Sequence, residues 1–301
     1  MSEQILISLC ISTFNRCEIL NNTIQSITSD KAFDETVEIV VGDNGSTDNT
    51  PEICKKYAEK YPNFRYYRNN ENIAIYNFSK VLMAGSGLYL KLLNDTQTLQ
   101  GESLAYMKEK IVQYKNSGYN IIFAQKWGVV KDANLLLCNN PIELMRILSY
   151  HSTWSGNFGA YRCLFSTIKD VDETASLMLP QVDWLYQICN RYGTIVTSSD
   201  YYDVVNVTKK GTYSFFETFT TNYFKTLLRN IPRGWYFERE KCILYCKHIV
   251  PFYYLITRKG SGYDYNIKGA MKHVLHYYWY YPYTYRWYMI YMLYRFLKSR
   301  K

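Results

Sequence analysis

Two stretches of this sequence read ILISLCISTFNR (residues 5–16) and EIVVGDNGSTDNT (residues 38–50). Each contains a short apolar, β-branched run, at residues 5–12 and 37–42, that is typical of a buried parallel strand. Residues 17–29 between them have the pattern of a helix. The order strand, helix, strand is a βαβ unit, and it predicts an α/β protein with a parallel sheet.

The same alternation continues to about residue 125, the pattern is mixed from there to residue 215, and residues 216–258 are mainly helical. We therefore expect an α/β domain over residues 1–215 and a helical C-terminal region over residues 216–301. Further strands are expected at 64–68, 88–93, 121–124 and 194–197, and further helices at 51–61, 73–84, 141–150 and 185–192.

Polar side chains follow three of the expected strands, at Thr13–Arg16, Asp43–Ser46 and Asn94–Thr96. In open α/β sheets the ligand lies beyond the carboxyl ends of the strands. Thr13 and Arg16 offer hydroxyl and guanidinium groups that suit a nucleotide diphosphate. Asp43 suits the base or the ribose hydroxyls, although the same cluster of Asp, Gly and Ser also suits a turn and a helix cap.

The net charge of +9 is unevenly distributed. Residues 265–301 contain seven basic residues and no acidic residue, which leaves +2 for the other 264 residues. A basic groove across the fold, as nucleic-acid binding requires, is therefore not expected. The basic end of the chain indicates a localised anionic partner.

The eight cysteines are scattered and form no CxxC pair. Cys242 and Cys246 lie near each other on an expected helix, but the second pair of ligands that a zinc site needs is not visible. The first residues, MSEQILISLCIS, lack the basic flank and the long apolar stretch of a signal peptide. We therefore expect reduced thiols and a cytoplasmic location.

Four motifs in the same order resemble glycosyltransferase family 2 of the bacterial surface-polysaccharide type. They are ISTFNR, EIVVGDNGSTDNT, the spacing of Asn72 and Asn77, and GLYLKLLND. The resemblance is strong over residues 5–100 and weak over residues 100–220. It implies the GT-A fold, in which a Rossmann-like nucleotide-binding sheet is followed by a mixed acceptor half. It also implies a hexosyltransferase-type enzyme with a nucleotide-sugar donor, UDP-linked by default.

The resemblance also implies a nucleotide-sugar site at the strand ends. Asp43 would hold the base or the ribose, and Asn72 and Asn77 would lie near the ribose and the phosphates. The full implied set is Thr13, Phe14, Asn15, Arg16, Asp43, Asn44, Gly45, Asn72, Asn77, Asn94 and Asp95.

The acidic metal-binding element of the family corresponds to Asn94-Asp95-Thr96, in which Asp95 alone is acidic. The resemblance implies that it binds a divalent ion that bridges the two phosphates of the donor. Because one carboxylate with phosphate oxygens and waters can hold a hard cation, Asp95 is the expected ligand of Mn²⁺ or Mg²⁺. The reduced element also permits metal-independent binding. Lys91 and Lys126 are alternative charge neutralisers, although lysines beside strands are usually solvated.

The catalytic base of the family corresponds to Asp183 in the segment LPQVDWL. The resemblance implies an inverting displacement in which this base removes the proton of the acceptor hydroxyl. Asp183 equally suits the first turn of a helix, where an acid is favoured by the helix dipole. Nearby acids are alternatives to it: Asp170, Asp172 and Glu173.

Two tryptophans are expected to bind the acceptor. Trp184 and Trp154 offer flat apolar surfaces on which a sugar ring can lie. Trp154 belongs to the segment 151–158, which is expected to form an acceptor wall, whereas His151 in that segment is expected to be structural.

Residues 272–301 contain nine tyrosines and two tryptophans among basic residues. Aliphatic residues are too few for a transmembrane span, and Tyr, Trp and basic side chains favour the headgroup layer. Each basic residue near an anionic surface adds about 1 kcal/mol of attraction. We therefore expect this segment to lie on a membrane. The alternative is that its aromatic residues pack against the rest of the chain or a second subunit.

These observations predict an α/β GT-A domain with a C-terminal helical, membrane-associating extension at the inner face of the cell membrane. The predicted function is sugar transfer to a saccharide, lipid-linked in capsule or O-antigen synthesis. Nucleic acid is not an expected partner. The main alternative is a non-catalytic membrane-associated scaffold that has kept the fold. A nucleotidyltransferase is disfavoured because TFNRCEIL is not a glycine-rich basic loop.

Overall fold

The structure, a computed structural model, describes residues 4–126, 133–205, 213–257, 262–263 and 265–281. Most of the basic aromatic segment, residues 282–301, lies outside this range, so the prediction made for it is not addressed.

Ten strands and eleven α-helices are present in the described residues. The strands are β1 (Ile7–Thr13), β2 (Val37–Asp43), β3 (Phe64–Arg68), β4 (Tyr89–Asn94), β5 (Gln97–Leu99), β6 (Asn120–Gln125), β7 (Ala133–Cys138), β8 (Gly159–Tyr161), β9 (Thr194–Ser199) and β10 (Tyr202–Val204). The helices are α1 (Cys17–Thr28), α2 (Thr50–Lys60), α3 (Tyr76–Ala84), α4 (Ser103–Tyr114), α5 (Pro141–Leu148), α6 (Arg162–Phe165), α7 (Pro180–Tyr192), α8 (Tyr223–Asn230), α9 (Trp235–Leu244), α10 (Val250–Thr257) and α11 (Ala270–Tyr278).

The central sheet has the strand order β3-β2-β1-β4-β8. The first four strands are parallel, and β8 is antiparallel to β4. Every residue of β2 is buried, as its continuous apolar run predicts for a strand covered on both faces. The mixed α/β class and the parallel sheet predicted from the sequence are therefore confirmed.

Helix α1 covers one face of this sheet because its apolar residues recur at helical spacing. Leu20, Ile24 and Ile27 are fully buried and lie on one stripe of the helix. They belong to the same hydrophobic cluster as Ile11 and Val41 of the sheet. The βαβ opening thus follows from local pattern and packing together.

Two smaller sheets complete the domain. β6, β9 and β7 form one sheet, and β10 pairs with β5 in the other. The strands β5, β7, β8 and β10 and the helix α4 were not among the expected elements. Three of those strands have only three residues, which is too short for a periodic signal in the sequence.

The helices after residue 213 are packed into the rest of the protein. One cluster of buried apolar side chains contains Cys10 and Leu92 of the sheet together with Phe216, Leu244 and Tyr278. The domain boundary expected at residue 215 stays a prediction, and the core continues across it. In the described residues, no helix combines the length and the apolarity needed to cross a bilayer.

Candidate active site

The carboxyl ends of β1, β2 and β4 lie side by side at one edge of the central sheet. The pairing places Thr13 opposite Asp43 and Ser12 opposite Asn94. The loops after these strands border a cavity of about 370 Å³, here called the strand-end cleft. It is lined by Ser12, Thr13, Phe14, Arg16, Asn44, Phe78, Asn94, Asp95, Thr96, Trp154, Val204, Tyr213 and Tyr265. A cavity of this size can hold a small ligand.

The carboxylate of Asp95 is the centre of a fixed polar group in the cleft. Its Oδ2 accepts a hydrogen bond from Thr13 Oγ1 at 2.9 Å, and its Oδ1 lies 2.8 Å from Arg16 Nη1. The backbone oxygen of Asp95 accepts a hydrogen bond from Thr23 Oγ1 at 2.7 Å. Burial raises the pKa of Asp95 above its usual value, and the charge of Arg16 and these hydrogen bonds oppose that shift.

The turn between β1 and α1 determines the position of Arg16. Asn15 has a φ of 50°, a left-handed conformation that asparagine tolerates better than most residues. Its backbone N–H donates to Ser46 Oγ at 2.9 Å, and its Oδ1 accepts from the N–H of Thr47 at 2.7 Å. The loop after β2 therefore holds the loop after β1. Asn15 itself does not line the cleft, so its implied contact with the nucleotide is not supported.

Asp43 is placed as a turn residue. Its side chain is fully buried, its Oδ1 accepts from the N–H of Ser46 at 2.8 Å, and its Oδ2 accepts from Tyr66 Oη at 3.0 Å. Arg68 Nε lies 3.6 Å from the same Oδ2. These three partners enclose the carboxylate, and Asp43 does not line the cleft. The structure thus shows Asp43 in the turn that the sequence offered as the alternative, and its contact with the base or the ribose stays a prediction. Gly45, with a φ of +81°, belongs to the same turn.

Asn72 and Asn77 form hydrogen bonds to residues that border the cleft, but they do not line it themselves. Asn77 is fully buried, and its Nδ2 donates to Ser12 Oγ and to the Gly42 backbone oxygen, both at 2.7 Å. The Oδ1 of Asn72 accepts from Asn44 Nδ2 at 2.7 Å. The implied position of Asn72 and Asn77 beside ribose and phosphates is thus not supported, because neither lines the cleft. Their hydrogen bonds position Ser12 and Asn44, which do.

A larger cavity of about 530 Å³ adjoins the cleft and shares Phe78, Trp154, Tyr213 and Tyr265 with it. We call it the aromatic chamber. It is lined by Ile75, Phe78, Tyr150, His151, Thr153, Trp154, Ser155, Met178, Leu179, Gln181, Tyr213, Phe215, Thr218, Phe219, His248, Phe252 and Tyr265. None of these lining residues is acidic. Trp154 lines both cavities, and its contact with the acceptor stays a prediction.

Two buried polar atoms of the chamber lack a hydrogen-bond partner among the described residues, Gln181 Oε1 and His248 Nε2. The other end of the Gln181 amide donates to the Thr153 backbone oxygen at 2.7 Å, which fixes its orientation. Burial lowers the pKa of His248 to about 3, and burial together with the charge of Lys247 lowers the pKa of His151 to about 4. Both rings are therefore neutral near pH 7.

Sequence reasoning did not predict Gln181, His248, Tyr213 or Tyr265 as site residues. Gln181 lies two positions before Asp183, in the first turn of α7, so the segment LPQVDWL did carry a signal for it. His248 and Tyr265 come from distant parts of the chain, and no spacing relates them to the strand-end motifs.

Asp183 does not reach either cavity. Its Oδ1 accepts from Asn230 Nδ2 at 2.9 Å and lies 3.3 Å from Arg229 Nε, and its Oδ2 accepts from Gln187 Nε2 at 2.9 Å. It borders a separate polar pocket, together with Lys169 and other residues that line neither the cleft nor the chamber. These contacts do not support Asp183 as the catalytic base, and that assignment stays a prediction.

Trp184 also has a different place from the one predicted. It is 1% exposed, and its ring meets Phe158 and Phe165 edge to face at centroid distances of 5.3 and 5.5 Å. Its Nε1 donates to the Val171 backbone oxygen at 2.8 Å. Trp184 is a core residue, and it offers no surface to an acceptor sugar.

The residues present do not fit a divalent cation well. Asp95 is the one acidic side chain among the described lining residues of the cleft, and its Oδ1 is already paired with Arg16. Within the described part of the chain, no group of three or more His, Cys, Asp or Glu is placed to hold a metal. One carboxylate beside a fixed guanidinium is a poor donor set for Mn²⁺ or Mg²⁺. Lys91 is no alternative, because it is fully buried and donates to the Phe158 backbone oxygen at 3.2 Å.

Known proteins resemble this chain in sequence over its first half and in fold over most of its length. Residues 8–130 match the family model described as glycosyl transferase family 2. Among curated proteins, the abequosyltransferase RfbV of Salmonella typhimurium is 35% identical over 155 residues, which are 50% of this chain and 41% of that protein. The match thus spans about two fifths of the length of this relative.

Solved structures share the fold. The fragment 1–349 of TarS from S. aureus has a TM-score of 0.60 and 17% identity, with 90% of this chain and 80% of that chain covered. The mannosyltransferase PcManGT from Pyrobaculum calidifontis, in complex with GDP-Man and Mn²⁺, has a TM-score of 0.58 and 12% identity, with 91% and 76% covered.

Proposed function

We propose, from the premise that residues 8–130 belong to glycosyltransferase family 2, that this chain transfers a sugar from a nucleotide-sugar donor to a saccharide acceptor. The donor diphosphate would lie in the strand-end cleft and the acceptor in the aromatic chamber. One observation carries the proposal. A polar cleft at the strand ends adjoins, across four shared aromatic residues, a chamber whose described lining contains no acidic group.

The donor half of the proposal is supported by the polar lining of the cleft. Arg16 presents a guanidinium, and Thr13 a hydroxyl that also donates to Asp95, near the edge of the sheet where α/β proteins bind nucleotides. Phe14 is 39% exposed at the same edge and offers a flat ring to a base. UDP is the nucleotide that the family resemblance favours.

The acceptor half is supported by the chemistry of the chamber. Its aromatic rings suit the apolar face of a neutral sugar, and its size suits one or two sugar rings. Gln181 and His248 both line the chamber, and we propose that their amide and imidazole groups turn to hydrogen-bond acceptor hydroxyls, since Gln181 Oε1 and His248 Nε2 are buried without partners and such atoms are costly. A carboxylate-bearing sugar is disfavoured because burying its charge there is unfavourable without a cationic partner.

The proposed reaction is an inverting displacement. The acceptor oxygen would attack the anomeric carbon, the bond from that carbon to the diphosphate oxygen would break, and the hydroxyl proton would pass to a general base or to water. His151 and His248 are neutral and weakly basic, so we assign them the orientation of hydroxyl groups by hydrogen bonding. Proton NMR of the product would test inversion through the configuration of the new anomeric centre.

The biological setting is proposed on more general grounds. The relative in Salmonella typhimurium is named an abequosyltransferase, which supports sugar transfer in surface-polysaccharide assembly, such as O-antigen or capsule. We propose a lipid-linked saccharide acceptor and a peripheral position on the cytoplasmic face of the membrane. Trp279 and Tyr280 are 59% and 47% exposed, which supports a surface role for this end of the chain, whereas Tyr278 is fully buried.

The experiment that tests the proposal is saturation-transfer NMR with UDP-glucose, UDP-GlcNAc, GDP-mannose and a dTDP-sugar. We expect one donor to receive saturation on both its base and its sugar protons, and the corresponding nucleoside diphosphate to compete with it. Trp154→Ala, which alters the wall shared by both cavities, should reduce saturation of the sugar protons more than that of the base. If no donor binds, the non-catalytic scaffold is the better interpretation.

A further inference from the structure

We infer that Arg16, held by Asp95, supplies the positive charge that a nucleoside diphosphate needs in the strand-end cleft, so that donor binding does not depend on a divalent cation. The inference rests on the proposed function, because it concerns the diphosphate of the same donor. It follows from the disagreement between the residues of the cleft and the metal site implied by the family resemblance.

In the pair of Arg16 and Asp95, the guanidinium is the more exposed group towards the cleft and the carboxylate is the more buried one. The side chain of Asp95 is 3% exposed, whereas that of Arg16 is 39% exposed and lines the cleft. A ligand that enters the cleft therefore meets the guanidinium and not the carboxylate. Arg16 is also the one basic side chain among the described lining residues.

The carboxylate of Asp95 is committed to other partners. Thr13 donates to Oδ2 at 2.9 Å, and Arg16 donates to Oδ1 at 2.8 Å. A divalent ion bound to Asp95 would have to displace Arg16 or lie beside its positive charge. Both alternatives weaken metal binding, since like charges repel and a buried carboxylate loses a partner.

The guanidinium retains donors for a ligand. Arginine carries five N–H donors in a planar fork, and Asp95 accepts from one of its terminal nitrogens. The remaining donors suit the oxygens of two adjacent phosphates, which arginine binds through paired hydrogen bonds. The carboxylate behind it limits the conformational freedom of Arg16, so less entropy is lost when the diphosphate binds.

Arg68 and Lys91, two other basic residues near the sheet, do not offer a charged group to the cleft. The Nη2 of Arg68 donates to the Ser46 backbone oxygen at 2.6 Å, and Arg68 does not line the cleft. Lys91 is fully buried and donates to the backbone oxygens of Gly156 and Phe158. Among the described residues, the position of Arg16 is therefore the one from which a cation can reach a diphosphate bound in the cleft.

Calorimetric titration of UDP, GDP, CDP and dTDP tests the inference, with the full chain in EDTA and again in Mn²⁺. We expect at least one nucleotide to bind with the same affinity in both buffers. Arg16→Ala should weaken that binding by about tenfold to a hundredfold, the equivalent of a lost charge-assisted hydrogen bond. Arg16→Lys should recover only part of it, because lysine keeps the charge without the fork.

Arg65→Ala is the matched control. Arg65 also pairs with a buried carboxylate, that of Glu38 at 3.2 Å, but it does not line the cleft. It should leave nucleotide affinity unchanged. The double variant Arg16→Ala/Asp95→Asn removes the unpaired carboxylate that the single variant leaves, so it should fold, as judged by thermal melting, and still bind the nucleotide more weakly than the wild type.

Three outcomes contradict the inference. Binding that requires Mn²⁺ and is lost in EDTA would show that a metal supplies the charge, while leaving the proposed function intact. Binding in EDTA that survives Arg16→Ala would also leave the function intact and would assign the charge to another group. Binding of no nucleotide in either buffer would overturn the inference and the proposed donor site together.

Discussion

Asp95 and Asp183 have similar surroundings and different places in the molecule. Each carboxylate is almost completely buried, and each pairs with an arginine that is about one third exposed. Arg229, however, also pairs with Glu173 at 2.6 Å, so two acids neutralise its charge. Among the described residues, Arg16 pairs with one acid, Asp95, and lines the strand-end cleft, which shares an aromatic wall with the chamber. A buried ion pair alone therefore does not identify a binding site, whereas its remaining charge and its cavity do.

The largest expected effect concerns the neighbour of Asp183. Trp184→Ala removes a ring that is 1% exposed and should lower the free energy of unfolding by about 3–5 kcal/mol. Chemical denaturation measures this loss. Trp154→Ala, the control at the cavity wall, should lower the free energy of unfolding less than Trp184→Ala does. It should weaken donor binding more. Equal stability losses for both variants would contradict the core position of Trp184.

A third buried carboxylate, that of Glu240, predicts how the free energy of unfolding depends on pH. Glu240 accepts hydrogen bonds from Ser149 Oγ and Tyr223 Oη, each at 2.9 Å, and burial raises its pKa to about 7. The native state therefore binds this proton more tightly than the unfolded state. The free energy of unfolding should fall as pH rises from about 4.5 to 7, by up to about 3 kcal/mol.

Glu240→Gln should remove that decrease. Urea denaturation across the range measures the difference between the variant and the wild type. His151 and His248 have lowered pKa values and add stability as pH rises, but they do so in both proteins. Parallel pH profiles for the two proteins would show that Glu240 is not the group responsible.

An intermediate effect is expected at the support of Asp95. Thr13→Val keeps the volume but removes the hydroxyl that donates to Oδ2, and a hydrogen bond to a charged group is worth about 1.5–3 kcal/mol. We expect a stability loss of this size and weaker nucleotide binding, because Asp95 would hold Arg16 less firmly. Thr13→Ser retains the hydroxyl and should restore both. Failure of serine to restore binding would mean that the methyl group matters instead.

The smallest effect is expected at Asp183. Asp183→Asn should cost about 1 kcal/mol or less, because its partner Arg229 is partly exposed and solvent screens the pair. Donor binding and sugar turnover should be unchanged, which saturation-transfer NMR and release of nucleoside diphosphate would measure. Loss of turnover with donor binding retained would restore Asp183 as the base and break the comparison.

Much of the first half of the fold was predictable from local pattern. The strand predicted at 64–68 coincides with β3, and the helix predicted at 17–29 ends one residue later than α1. The prediction of α7 began at residue 185, five residues late, although Asp183 was recognised as suited to the first turn of a helix. Short strands such as β8 were missed because their pairing partners are distant in sequence.

The candidate site was predictable to a smaller extent. The strand-end rule correctly brought Thr13, Arg16 and Asp95 into one cleft. It did not separate them from Asp43 and Asn77, which follow the same strands or lie near them in sequence. Whether such a side chain lines a cavity or braces a loop depends on hydrogen bonds between segments, and a single sequence does not show these.

The sequence by itself determined the α/β class and the edge of the sheet where polar loops collect. Strand propensity, helical spacing and turn residues act over a few neighbouring residues, so they are visible locally. Only the tertiary structure decided that Trp184 is core and Trp154 is wall, or that Asp183 faces a separate pocket. The physical reason is that the direction of a side chain from its helix is set by what packs against each face, and those partners come from far along the chain.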